Sequence, residues 1–373
     1  MAQGTLDANF AAGNLAQTIL TATDNSRITT LYDPTNTHDY ATVTTTTDAL
    51  NRTDTVATLY DDGHRVVRDN DERNVSTVAY TETTTDAQAR TDIVLQRNDD
   101  NTTVTTDYDQ ASANVWSTIV TNLDNQGRVY QQSGTYDNGT GYINQWDASN
   151  SANWSFISSS TDALGRVYQQ SGTYDNGTGW INQTDVANTA TWSTIFSNTD
   201  AQGHVTVQTG TYDSGAGWVN QYDASNNAAW TSINDSYNAA HQITEEVITN
   251  DNGSRTDQFW DRGTADWSTY TTTFNASGVI TGEAGSFDNG DTFSEAFTAG
   301  RLTTVTYVDG GVNDTSWSRE VETYNTAGQL TTVDWYSDAG YRDEQDVFDS
   351  AGLRPPCVGA DPEQGAWRRM APP

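Results

Sequence analysis

The chain has 373 residues, of which 34% are hydrophobic, and a formal net charge of −33; Arg is the only Lys/Arg-type base, lysine being absent. Such a surface repels nucleic acid phosphates and anionic lipid headgroups, and acidic polysaccharides too unless divalent cations bridge the two. The single Cys357 excludes an internal disulfide framework and a zinc cluster, and no apolar run is long enough for a membrane-spanning helix.

Thr, Asn, Asp, Ser and Gly dominate, yet there are 12 Trp and 18 Tyr, so the composition is not that of a disordered chain. A thin, aromatic-rich β architecture fits both facts, because it has much surface and little deep core. Residues 1–12 read as a leader without the basic and apolar regions of a signal peptide.

From residue 13 the chain repeats. "GRVYQQSGTYDNGTG" occurs at 127–141 and again, unchanged, at 165–179, an offset of 38 residues. Stepping by 38 from Gly127 reaches Gly165, Gly203 and His241 in one direction and Ala89, Asn51 and Gly13 in the other. Tandem 38-residue repeats are therefore expected over 13–277.

Each unit carries three turn signals. Asp recurs at 33, 71, 109, 147, 185, 223 and 261; at 61, 99, 137, 175, 213 and 251; and at 48, 86, 124, 162 and 200, with Asn238 next. Gly or Asn follows closely, as in "YDNG" and "TDALG", which is the chemistry of tight turns. Between the turns lie three short strands, in one copy roughly 128–136, 141–146 and 153–161, patterned with period two. Aliphatics (Ile143, Ile181, Val219) and aromatics (Tyr142, Trp180, Trp218) take opposite parity. Each strand then shows an aliphatic and an aromatic face, and the sheet is expected to curl, stack or wrap something. The third strand opens with Trp116, Trp154, Trp192 and Trp230, whose regularity marks the last three as core.

After residue 262 the marker glycines Gly278, Gly300, Gly328 and Gly352 are closer together, and 278–352 reads as shorter two-strand hairpins. The pattern stops at Gly352. Five of the six prolines and Cys357 fall in 353–373, which reads as a disordered or non-native tail on a fragment of a longer protein.

A parallel solenoid would stack the Asp series about 4.8 Å apart. Neighbouring carboxylates would then repel by roughly 0.9 kcal/mol even at the dielectric of water. An antiparallel meander disperses them. The expected fold is all-β: a tandem-repeat antiparallel hairpin ribbon, elongated or spiralled.

"YNTAGQL" (324–330), "FDSAGLR" (348–354), "TDALGRV" (161–167) and "LDNQGRV" (123–129) resemble the tyrosine-aspartate (YD, Rhs-type) repeat, most clearly over 297–353 and more loosely over 13–296. The resemblance implies a β-hairpin ribbon in a large secreted or cell-surface protein, often a spiral shell or stalk.

No phosphate loop, paired-histidine metal motif or nucleophile elbow is present, and His204 and His241 fill repeat slots held elsewhere by Arg and Gly. A catalytic carboxylate pair should be singular, whereas these acids recur in every unit; no catalytic residue is assigned. The expected role is a structural or interaction segment: stalk, shell or adhesive surface, extracellular or on the cell surface. One alternative is a glycan- or calcium-binding module, with Tyr142, Trp180 and Trp218 as carbohydrate-stacking candidates. The calcium candidates are Asp61, Asp62, Asp69, Asp71, Asp99 and Asp100. A second alternative is a polysaccharide lyase or hydrolase using an irregular unit near 241–300. The expected partners are a polysaccharide or cell-surface partner and the rest of a larger polypeptide, with no nucleic acid and no membrane insertion.

Overall fold

The computed structural model describes residues 4–11, 13–311 and 317–349; the tail from 353 lies outside them. The expected all-β meander forms, with antiparallel pairing and, among the described residues, no helix. The chain divides into two units, residues 1–204 and 205–373.

The first unit opens with the hairpin β1 (Thr5–Ala11) and β2 (Asn14–Thr21), followed by β3 (Arg27–Tyr32). Three-strand sets follow: β4 (Tyr40–Thr47), β5 (Thr53–Tyr60), β6 (Arg65–Asn70); β7 (Val78–Thr85), β8 (Thr91–Asn98), β9 (Thr103–Tyr108); β10 (Trp116–Leu123), β11 (Val129–Tyr136), β12 (Gly141–Trp146); β13 (Trp154–Thr161), β14 (Val167–Tyr174), β15 (Gly179–Thr184). The unit closes with β16 (Trp192–Thr199). The second unit holds β17 (Val205–Tyr212), β18 (Gly217–Tyr222), β19 (Trp230–Tyr237), β20 (Ile243–Asn250), β21 (Arg255–Trp260), β22 (Trp267–Phe274), β23 (Ile280–Phe287) and β24 (Thr292–Thr298). It continues with β25 (Arg301–Val308), β26 (Arg319–Tyr324), β27 (Leu330–Tyr336) and β28 (Arg342–Val347).

Within each unit, substantial contacts run only between strands adjacent in sequence. Among the described residues each unit is thus a single layer, with no second sheet packed on either face. Burial follows: among the described residues the only hydrophobic side chains below a tenth exposed are Val305, Tyr324 and Val333. Trp154, Trp192 and Trp230, expected as core, are half-exposed, because a one-layer sheet has no interior for them to fill.

Three strands per repeat have a geometric consequence. Directly opposed residues share a face, and successive residues alternate faces. Tyr142 is opposed to Ser160, and Ser160 to Gln169; on the same β14, Gly172 is opposed to Trp180. Gln169 and Gly172 are three apart, so Tyr142 and Trp180 lie on opposite faces. Each repeat is turned over relative to the one before, and in the regular region the two faces are chemically alike.

The pattern continues past residue 262. The loop from Asp261 to Trp267 is one residue shorter than that from Asp223 to Trp230, and β22, β23 and β24 follow as another three-strand set. Beyond it the period changes. β24 and β25 are joined by Ala299 and Gly300, both at positive φ (51° and 76°), the two-residue turn whose twist matches antiparallel strands. β25 and β27 then repeat one word, "LTTVTY" and "LTTVDW", two strands apart, so equivalent residues return to the same face.

Candidate functional site

The three Asp series take up the turns. In the series that runs from Asp48 to Asp200, Oδ1 of Asp162 accepts the backbone N–H groups of Leu164 and Arg166, both at 2.9 Å, while Oδ2 takes the Arg166 guanidinium at 2.7–2.8 Å. Asp48, Asp86 and Asp124 bind Arg52, Arg90 and Arg128 likewise, and Asp200 binds His204. These contacts, first the backbone N–H of Arg166, hold the Asp162 carboxyl below the usual carboxylate range. The residue three after each of these Asp residues, and after Asn238, is left-handed: Gly at 127, 165 and 203, but also Asn51, Ala89 (φ 60°) and His241 (φ 58°).

In the long loops, Oδ2 of Asp71, Asp109, Asp147, Asp185 and Asp223 accepts the backbone N–H five residues on, each at 2.6 Å. Asp261, in the shortened loop, collects the N–H groups of Gly263, Thr264 and Ala265 and the Thr264 hydroxyl, and its carboxyl is held at about 2. In the series that runs from Asp61 to Asp251 the backbone makes the contact: the N–H groups of Asp61 and Asp99 donate to the carbonyls of Asp39 and Thr77 on the neighbouring loop.

The calcium candidates therefore sit among backbone partners. Asp62 and Asp100 accept the N–H groups of His64 and Thr102, both oxygens of Asp71 are engaged, and Asp69 lies on β6 opposed to Thr55 and Thr81. Among the described residues no group of three or more His, Cys, Asp or Glu stands close enough to hold a metal ion.

The aromatic candidates share one local geometry that parity did not foretell. Tyr142, Trp180 and Trp218 each lie across a glycine on the preceding strand: Gly134, Gly172 and Gly210. A Cβ on Gly172 would fall 2.6 Å from the Trp180 indole nitrogen, and one on Gly134 would fall 2.4 Å from the Tyr142 ring. The ring covers the backbone where a side chain is missing, which keeps water off that stretch of sheet. Trp180 also stacks on Phe196 at 6.4 Å. All three candidate rings are half-exposed. Tyr142 and Trp180, however, serve opposite faces, so no single straight polymer crosses both; Trp218 holds the same slot in the second unit.

One cross-strand slot changes character along the chain. The amides of Gln132 and Gln170 donate to the hydroxyls of Thr121 and Ser159 (3.2 and 3.0 Å). The same slot holds Asp235 opposed to Glu246 in the second unit. Asp235 is 8% exposed, its Oδ1 has no conventional donor, and Oδ2 accepts the Tyr237 hydroxyl. Burial first, and then the facing Asp235, push the Glu246 carboxyl up; burial pushes Asp235 up as well. Two carboxyl groups so placed are relieved by one shared proton.

Comparison with solved structures finds a likeness to a chain of the crystal structure of TcdB2-TccC3, 11% identical, with a TM-score of 0.18, over 94% of this chain. The chain spans about a quarter (26%) of the length of that chain. No protein family profile matches, and no curated protein does.

Proposed function

We propose that the chain is a structural repeat segment of a large secreted or cell-surface protein, built to present surface as a stalk, shell or adhesive ribbon. What carries this reading is the one-layer meander in which, within each unit and among the described residues, each repeat contacts only its neighbours and uses its recurrent Asp residues in turns. Such an array gains length by adding units, since stability is a sum of unit and neighbour terms. Excision of residues 127–164, which joins Gln126 to the identical copy starting at Gly165, tests it. The shortened chain is expected to keep its β circular dichroism and cooperative melting; collapse of the fold would show that the units are not interchangeable.

The rings over Gly134, Gly172 and Gly210 favour a second reading, that the ribbon retains glycans by stacking. Replacing Trp180 and Trp218 with Ala should then abolish retention on an insoluble polysaccharide while the fold persists. Retention unaffected by the double change would leave the rings as covers for the backbone only.

A further inference from the structure

The five-residue word Tyr-Asp-Asn-Gly-Thr occurs twice in the sequence, at 136–140 and 174–178, and forms the turns between β11 and β12 and between β14 and β15. In each turn the Tyr N–H donates to the Thr carbonyl (2.7 and 2.8 Å) and the Gly N–H to the Tyr carbonyl (both 2.9 Å). Gly139 and Gly177 are left-handed, at φ 83° and 85°. In the first copy Tyr136, Asn138 and Thr140 line one open hollow with Asp137 and the exposed Val115. The Tyr136 ring is 36% exposed and rests against Tyr142, centroids 5.9 Å apart.

The asparagine is held by its oxygen. Oδ1 of Asn138 and of Asn176 accepts the N–H of the threonine two residues on at 3.0 Å and its hydroxyl at 2.7 Å. Both asparagines are exposed, and among the described residues their Nδ2 groups have no partner. Asn-x-Ser/Thr on an exposed loop is the acceptor pattern for N-linked sugar. Other copies of that pattern lack the turn or the ring. Asn101-Thr102-Thr103 ends on Thr103, which is 9% exposed and accepts Arg97 at 2.7 Å. Asn182 and Asn234 lie inside β15 and β19, each paired on both sides. Asn252-Gly253-Ser254 forms the same turn, with Asn250 where the tyrosine stands.

We propose that Asn138 and Asn176 are acceptor sites for an N-linked sugar whose first ring packs on Tyr136 or Tyr174. The donor class is a sugar diphosphate. Nδ2 attacks the anomeric carbon, and the N–C bond forms as the C–O bond to the diphosphate breaks. The diphosphate leaves with the electron pair, and Nδ2 gives one proton to a base of the transferase. The tyrosine two residues before the asparagine offers a flat apolar surface to the C–H face of a pyranose. At Asn138 the sugar would cover Tyr136 and Val115, apolar groups that the folded chain leaves to water. β14 is antiparallel to β11, so the two sugars would stand at opposite edges of the sheet. The proposal concerns covalent attachment at turns, not retention of glycans by Trp180 and Trp218, and stands independently of the structural role.

The test uses the folded full chain in two arms: UDP-glucose with a soluble N-glucosyltransferase, and a polyprenyl-diphosphate oligosaccharide with an oligosaccharyltransferase. Peptide mass mapping should find sugar on Asn138 and Asn176 in at least one arm, which also separates a nucleotide-linked from a lipid-linked source. Asn234 should carry none in either. The modified chain should melt about 1–3 °C above the unmodified one. Tyr136→Phe with Tyr174→Phe should keep that rise, and Tyr136→Ala with Tyr174→Ala should accept sugar but lose it. Asn138→Gln with Asn176→Gln leaves Asn252 as an acceptor without a ring and should show no rise; this variant carries the ring claim if the alanine variant does not fold, which circular dichroism decides. Sugar missing from either residue in both arms would overturn the proposal. So would sugar on Asn234 of the folded chain, the absence of any rise in melting temperature, or an equal rise without the rings.

Discussion

Trp180 and Gly172 make a closed test of how a one-layer sheet protects its backbone. An added Cβ at Gly172 would sit 2.6 Å from the indole nitrogen, against 3.4 Å or more for ordinary contact, so the ring must lift by about 0.8 Å. The ring is half-exposed and free to tilt toward solvent, which places the cost of Gly172→Ala at the low end for overpacking, about 1–2 kcal/mol. Trp180→Ala removes a half-buried ring and should cost about 2 kcal/mol, roughly half of a fully buried aromatic truncation. In the Trp180→Ala background the clash is gone, and Ala in a strand is better than Gly by about 0.5–1 kcal/mol. Gly172→Ala should therefore change sign, from destabilising to stabilising, with a coupling energy of about 2 kcal/mol. Urea unfolding of the parent, both single variants and the double variant measures it. If Gly172→Ala destabilises equally in both backgrounds, the ring does not cover the glycine and the reasoning fails.

Ala89, left-handed at φ 60° where other repeats place Gly, should gain about 1 kcal/mol as Ala89→Gly, seen as a higher melting temperature. Restoring the regular slot with Asp235→Ser and Glu246→Gln should stabilise by about 1–2 kcal/mol at neutral pH. Because the raised carboxyls lose stability as pH rises through their folded values, the gain should shrink on acidification; a pH-independent gain would remove the shared proton. The turn acids work in the opposite sense. Their lowered values give stability that is complete above the ordinary 3.8 and is lost as pH falls, down to about 2 for Asp261, so acid melting should set in below about pH 4 and be eased by Asp261→Asn. Millimolar calcium should raise the melting temperature no more than matched ionic strength does, since the Asp71 oxygens already accept backbone N–H groups; a specific rise would restore a calcium site.

Much of this architecture was legible in the chain because its causes are local. The strands expected at 128–136, 141–146 and 153–161 form at Val129–Tyr136, Gly141–Trp146 and Trp154–Thr161, and the Asp residues between them hold turns as turn chemistry requires. Parity along a strand was also readable. The face on which a side chain ends up was not, because it accumulates over pairing registers and bulges across several strands. That sum puts Tyr142 and Trp180 on opposite faces, and it gives β25–β28 its two unlike faces once the repeat becomes even. The expectation that regular tryptophans form a core failed for a related reason. Regularity in sequence specifies a repeated position, but only the tertiary arrangement decides whether a second layer exists to bury it, and among the described residues of each unit there is none.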